Sequence, residues 1–232
     1  SAKGHDVDPR ALQYKSGDGF KIAARGKSNQ LAILLDSIGR AYSLPAHTLP
    51  SDRGQGEPVS GKLNPPSGAT FEGVVIGDDA RDVLLASDAG YGFVAKLGDL
   101  ISKNKSGKAI LRLPKGSVLL PAVMIQDYDS DRIVSVTNEG RMLMFPLAQL
   151  PRLAKGKGNK IINIPSARVA ERIEFVVAMT TVTAEDTLTV YAGQRHHNLK
   201  PADLQHYQGE RGRRGNKLPR GFQNVDRIEV LT

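Results

Sequence analysis

Asp131-Arg132-Ile133-Val134-Ser135-Val136-Thr137 is followed by Asn138-Glu139-Gly140 and then by Arg141-Met142-Leu143-Met144-Phe145-Pro146. Two short apolar runs, the first rich in β-branched residues, flank a polar turn that ends on glycine, which is the pattern of a β-hairpin. The same layout recurs upstream as Asp82-Val83-Leu84-Leu85-Ala86-Ser87, Asp88-Ala89-Gly90 and Tyr91-Gly92-Phe93-Val94-Ala95-Lys96. It recurs again as Leu31 to Leu35, Gly39 and Arg40 to Leu44, and as Thr187 to Ala192, Gly193 and Gln194 to Leu199.

The turn glycines Gly39, Gly90, Gly140 and Gly193 are spaced 51, 50 and 53 residues apart. A repeat of that length suits one four-stranded blade of a radial β array, which also hides most of its sheet edges. Each hairpin leads to a further apolar stretch, at Phe71 to Ile76, Val118 to Ile125, Phe175 to Met179 and Ile228 to Leu231, read as the last strand of its unit. Phe20 to Ala24 reads as such a last strand without its own front half. The expectation is a single all-β domain over residues 1–232, a propeller-like disc of about five four-stranded blades in a closed or an open ring. Its units run over roughly 30–76, 82–125, 131–179 and 186–231, with a remnant at 10–29 completing a blade.

The 232 residues are 40% hydrophobic, enough for a sizeable core. Lysine and arginine number 32 against 24 acids, a formal charge of +8, which directs attention to a polyanion, nucleic acid before an anionic membrane. There is no cysteine, so disulfides are excluded and a reducing compartment fits. No apolar run is long enough for a membrane helix, and no signal peptide opens the chain. The chain starts at Ser1 without Met and reads as a piece of something longer.

The charges keep phase with the repeat. Leu100 to Gln126 carries Lys103, Lys105, Lys108, Arg112 and Lys115 without an acid, and Gly140 to Ala170 carries Arg141, Arg152, Lys155, Lys157, Lys160 and Arg168, again without one. Thr187 to Val225 holds Arg195, Lys200, Arg211, Arg213, Arg214, Lys217 and Arg220 against Asp203 and Glu210. Acids gather before the first strand of each unit, at Asp78, Asp79 and Asp82, at Asp127, Asp129 and Asp131, and at Glu185 and Asp186. Equal positions of radial units fall on one rim, so one rim should be basic. Its loops interleave glycine with Lys or Arg, as in Lys155-Gly156-Lys157-Gly158-Asn159-Lys160 and Gly209-Glu210-Arg211-Gly212-Arg213-Arg214-Gly215; the earliest, Arg53-Gly54-Gln55-Gly56, is the weakest because Glu57 follows. Glycine lets backbone N–H groups converge on an anion, and the cations displace counterions from phosphate. The candidate DNA-contacting residues are Arg53, Lys103, Lys105, Lys108, Arg141, Lys155, Lys157, Lys160, Arg195, Lys200, Arg211, Arg213, Arg214, Lys217 and Arg220.

Other chemistries fall away. Aromatics are 5% with no Trp, against a base-stacking single-strand binder and against propellers of the WD type. Nothing reads as a recognition helix, so duplex binding should be sequence-independent. Gly56-Glu57-Pro58-Val59-Ser60-Gly61-Lys62-Leu63 has phosphate-loop spacing as far as its Lys, but Leu63 replaces the Mg²⁺-holding hydroxyl and Asn64-Pro65-Pro66 cannot begin a helix. His196 and His197 are strand neighbours that point to opposite faces, so no metal is expected there, and no catalytic constellation stands out.

The whole layout resembles the C-terminal domains of bacterial type IIA topoisomerase A subunits, most specifically at Ser87 to Phe93, Gly140 to Pro146, Lys155 to Pro165 and Gly209 to Gly215. It looks like the topoisomerase IV branch, since no intact Gln-basic-Arg-Gly-Gly-basic-Gly box of gyrase occurs. The resemblance implies a β-pinwheel whose blades exchange strands, with double-stranded DNA bent around a basic perimeter to position a segment for ATP-dependent strand passage, in decatenation and supercoil relaxation. It implies assembly of two A with two B subunits, an N-terminal cleavage domain on the same polypeptide, Mg and ATP used elsewhere and no cofactor in this domain. The family's cleaving Tyr follows an Arg, and none of Tyr14, Tyr42, Tyr91, Tyr128, Tyr191 or Tyr207 does. The isolated domain is expected to be a monomer, cytoplasmic and nucleoid-associated, with peripheral contact of the full enzyme with the inner membrane allowed. The alternative is a protein-interaction propeller docking an acidic chromosome-organising partner.

Overall fold

The computed structural model describes residues 1–4 and 6–232. Its first hairpin joins β1 (Leu31–Asp36) to β2 (Arg40–Pro45), followed by β3 (Phe71–Ile76). The second joins β4 (Asp82–Ser87) to β5 (Tyr91–Lys96), followed by β6 (Lys108–Ala109) and β7 (Val123–Met124). The third joins β8 (Arg132–Thr137) to β9 (Arg141–Pro146), followed by β10 (Asn159–Lys160) and β11 (Val176–Val182). The fourth joins β12 (Thr187–Ala192) to β13 (Arg195–Leu199), followed by β14 (Asn216–Lys217) and β15 (Arg227–Leu231).

The sheets are ordered β3-β1-β2-β6, β7-β4-β5-β10, β11-β8-β9-β14 and β15-β12-β13. In each, the hairpin is central and the unit's own last strand covers its first strand. The second strand of each of the first three blades is covered by a two-residue strand from the following unit. The blades are therefore stitched together by strand exchange, and the fourth sheet has three strands with β13 at its edge.

The turn glycines explain how the exchanged strand fits. Gly39, Gly90 and Gly140 have φ of 89°, 87° and 74°, and the carbonyls of Leu111, Ile162 and Phe222 from the next unit lie where a Cβ would stand. Gly193 also has positive φ, 58°, but nothing lies within 4 Å of its Cβ position, since nothing is exchanged onto that turn. A second device ties the first three turns to the stretch leading into their unit's last strand. The Asp88 N–H donates to Val118 O and the Val118 N–H to Asp88 Oδ1, with equivalent reciprocal pairs at Ser37 with Thr70 and Asn138 with Phe175.

The central strands are buried on both faces, so they read as continuous apolar runs. Alternate side chains serve alternate cores. Val83 and Leu85 pack with Ile33, Leu35 and Phe93 between blades one and two, whereas Leu84 and Ala86 join Ile133, Phe145, Ile161 and Ile162 between blades two and three. Val134, Val136, Met142 and Met144 pack with Leu188, Val190 and Leu199 between blades three and four. No core among the described residues joins blade four to blade one, so the array is an open pinwheel.

The expected all-β blade architecture holds, but the count is four blades among the described residues, not about five. Residues 10–29 form no strand. Phe20 and Ile22 are 38% and 39% exposed, and the segment meets blade one mainly through a Lys21–Glu72 ion pair and the packing of Gly26 on Ile76. Its apolar side chains stay exposed, and none of it pairs with β3, the edge strand of blade one. No helix among the described residues is long and apolar enough to cross a membrane.

Candidate nucleic-acid interface

The loops that follow the second, third and fourth hairpins are each pinned to the preceding blade. The Ile110 and Leu111 N–H groups donate to Gly39 O, Ile161 to Gly90 O at 2.7 Å and Leu218 to Gly140 O at 2.8 Å. Arginines at the start of the second strands reinforce this: the Arg40 guanidinium donates to Ser106 O and Gly107 O, and Arg141 to Gly215 O. Pinned this way, successive loops touch one another. The Asn64 N–H donates to Lys105 O, Gly156 to Ile110 O and Arg112 to Gly156 O, and then Gly212 to Ile161 O and Asn163 to Arg213 O, all between 2.8 and 3.0 Å. The four loops form one hydrogen-bonded belt along the outer edges of the blades.

The belt gathers the basic segments. Lys103, Lys105, Arg112, Lys115, Lys155, Arg213, Lys217 and Arg220 are exposed on it, and Lys108, Lys157 and Lys160 are half-buried. Lys157 Nζ sits 4.3 Å from the Tyr91 ring centroid and Lys160 Nζ 5.8 Å, so the ring holds two ammonium groups at the edge of blade two. Arg112, Lys115 and Arg168, absent from the candidate set, also lie on or beside it; the signal for Arg112 is that it lies three residues past the exchanged strand Lys108–Ala109.

Other candidates occupy different places. Arg141 is a strut for the exchanged loop, as described. Arg211 donates to Lys160 O at 2.9 Å, and Arg214 donates to Asn163 O at 2.9 Å and to the buried Glu174 carboxylate at 3.0 Å. Within that dense cluster Arg213 alone is well exposed, paired with exposed Glu210. Arg53 lies in the fully exposed stretch 51–58, which covers no blade edge among the described residues. Arg195 and Lys200 lie on and just after β13, away from any exchanged strand, and the Arg195 guanidinium packs on Gly221.

The acids do structural work. Asp131 accepts from the Asp127 N–H and Asp186 from the Thr183 N–H, each closing the turn before its hairpin. Asp82 takes a bidentate pair from Arg152 of the next unit, at 3.1 and 2.9 Å, and an ion pair from Lys96. The Arg152 hydrogen bonds, with Lys96 second, hold the Asp82 carboxyl below its usual range against the opposing effect of burial. Asp88 is different: burial pushes its pKa up and outweighs the Val118 N–H and Arg172, although Arg172 lies 2.7 Å away. Tyr42, buried against Asp36, is pushed up to about 12, mainly by burial.

An open stack of strand-exchanging β blades with a cationic edge belt defines a propeller-like class of domain. A family model described as "DNA gyrase C-terminal domain, beta-propeller" matches residues 81–124 and 131–183. The chain is 58% identical over 229 residues to the A subunit of DNA topoisomerase 4 from Pseudomonas aeruginosa and 50% identical over 230 residues to that of Escherichia coli K12. Both alignments cover 99% of the chain, which spans 30% of the length of each relative. It superposes on the structure of the E. coli ParC C-terminal domain with a TM-score of 0.90 and 49% identity, covering all of this chain and 93% of that one. A DNA gyrase A C-terminal domain, 13% identical with a TM-score of 0.69 over 74% of its length, shares the fold. The chain belongs to the family of C-terminal domains of topoisomerase IV A subunits.

Proposed function

We propose that this domain binds and bends duplex DNA along its belt, presenting a segment to the cleavage machinery of a topoisomerase IV. The carrying observation is the hydrogen-bonded continuity of the four loops, which turns separate basic runs into one track. Bending a duplex through a moderate arc costs about 1 to 6 kcal/mol, and phosphate contacts spread over several blades offset it without reading bases. Covalent chemistry lies elsewhere in this reading. Tyr42 is buried with its proton held toward Asp36, and burial likewise raises the pKa of Tyr207, so neither is a ready nucleophile. The reading carries with it a cleavage domain on the same polypeptide, a B-type partner with its ATP, the Mg of the cleavage reaction, and a bacterial cytoplasmic setting.

The test is duplex binding followed by anisotropy across a salt series. Each phosphate neutralised contributes about −0.9 to the log–log slope. Replacing Lys155, Lys157 and Lys160 by Ala should flatten it by up to about three such increments and weaken all sequences alike, while R132A, beside the acidic turn, leaves it in place. A loss in R132A of about one third of that in the triple variant, in proportion to the charge removed, would show that net charge, and no defined track, drives binding.

A further inference from the structure

Arg168 and Arg214 come from different units and converge on one buried acid. Glu174 Oε2 accepts from Arg168 Nε at 3.3 Å and from Arg214 at 3.0 Å, while Glu174 Oε1, also buried, has no hydrogen-bond partner. The second guanidinium nitrogen of Arg168 is engaged by Glu139 in the turn of the third hairpin. Glu174 is wholly buried, but Glu139 is 40% exposed, and Arg168 and Arg214 are 37% and 33% exposed. The Arg pair therefore opens to solvent on the side where Glu139 sits. It also adjoins the belt, since Arg214 donates to Asn163 O, and Asn163 Oδ1 accepts from Lys160.

A buried carboxylate fixes the two guanidinium groups, and an exposed, replaceable carboxylate covers the outer one. That is the arrangement of an anion site occupied by an internal anion. We propose that Arg168 and Arg214 form a DNA-phosphate site on blade three, where the third and fourth units meet, held by Glu174, and that Glu139 occupies it until a backbone phosphate displaces it. Planar guanidinium donors suit a phosphate oxygen pair, and the exposed Glu139–Arg168 ion pair is weak enough to exchange. This rests on the DNA-binding reading and adds a site that the run of lysines does not include.

E139Q frees Arg168 without removing a cation. Its salt slope for duplex binding should steepen by about 0.9, one added phosphate contact, relative to wild type. E185Q, the same charge change at an exposed acid before the fourth hairpin, is the control and should shift it by less than half as much. R168A combined with E139Q should abolish the gain. Equal effects of E139Q and E185Q, an unchanged slope in E139Q, or a gain that survives R168A would each overturn the site. Failure of the wild-type chain to bind duplex would instead sink the broader reading. The site would then be decided by inorganic phosphate followed through the Nε–H resonances of Arg168 and Arg214, with no shift in either in E139Q counting against it.

Discussion

Replacing Gly90 by Ala tests whether strand exchange holds the array together. Gly193→Ala is the reference, because it has positive φ, 58°, and open space around its Cβ position. It should therefore cost only the left-handed strain, about 1 to 2 kcal/mol. At Gly90, φ is 87° and the new Cβ would lie 2.5 Å from Ile162 O, so the exchanged segment has to retreat. Retreat breaks the Ile161 N–H to Gly90 O bond of 2.7 Å, worth about 1 kcal/mol net. It also draws Ile161 and Ile162, both wholly buried, part-way out of the core between blades two and three, at about 1.5 to 3 kcal/mol for one full side chain. Together with the strain, G90A should lose about 4 to 6 kcal/mol, a large share of an ordinary domain's stability. The gap of about 3 kcal/mol between the variants corresponds to roughly 6 to 12 °C in Tm for a chain of this size. Urea and thermal melts of both variants measure it. Equal losses would mean that the exchanged strands rest on the blades without holding them.

Two further outcomes follow from the ion pairs. R214A removes one partner of buried Glu174 and leaves Arg168, so it should lower stability by about 1 to 3 kcal/mol in thermal melts, whereas K217A, exposed on the same loop, should leave Tm unchanged. Asp82 has its pKa depressed by Arg152, so its stabilisation is complete at neutral pH and disappears as pH falls through the depressed value. R152A should accordingly be less stable than wild type at pH 7, with the two curves converging as pH drops below the usual carboxylate range; a gap that persists into strong acid would assign the Arg152 contribution to its stacking on Tyr128 alone.

The hairpins were legible because their two requirements are local. Apolar strands such as Asp82–Ser87 and Arg132–Thr137 carry their period in adjacent residues, and a turn needing positive φ shows as Gly90 or Gly140. The exchanged strands were not legible. Lys108–Ala109, Asn159–Lys160 and Asn216–Lys217 are two residues long in polar loops, and what makes them strands is an edge presented by another unit. The converse error has another origin: Phe20 to Ala24 has strand composition, but its apolar side chains enter no core. For the candidate interface, charge density marked the loops that the belt joins but could not separate Arg213, in solvent, from Arg214, hydrogen-bonded to an acid 40 residues away.

Strand exchange also determines what the belt can do. A loop anchored only in its own unit would yield when a stiff duplex is drawn against it. Here the loops of the second, third and fourth units are fastened to the preceding blade by backbone hydrogen bonds at the turn glycine. Further ties cross the same junctions: Arg152 reaches back to Asp82, Arg172 to Asp88 and Arg214 to Glu174. In the proposed function, the force of bending a duplex passes into the junction between two blades and on into the cores that Leu84, Ile133 and Ile161 share. On that proposal, curvature of the track follows from how the blades pack, while affinity follows from the cations on the belt. Changes in the loops can thus tune binding with little effect on the arc, and changes between blades can tune the arc with the cations intact.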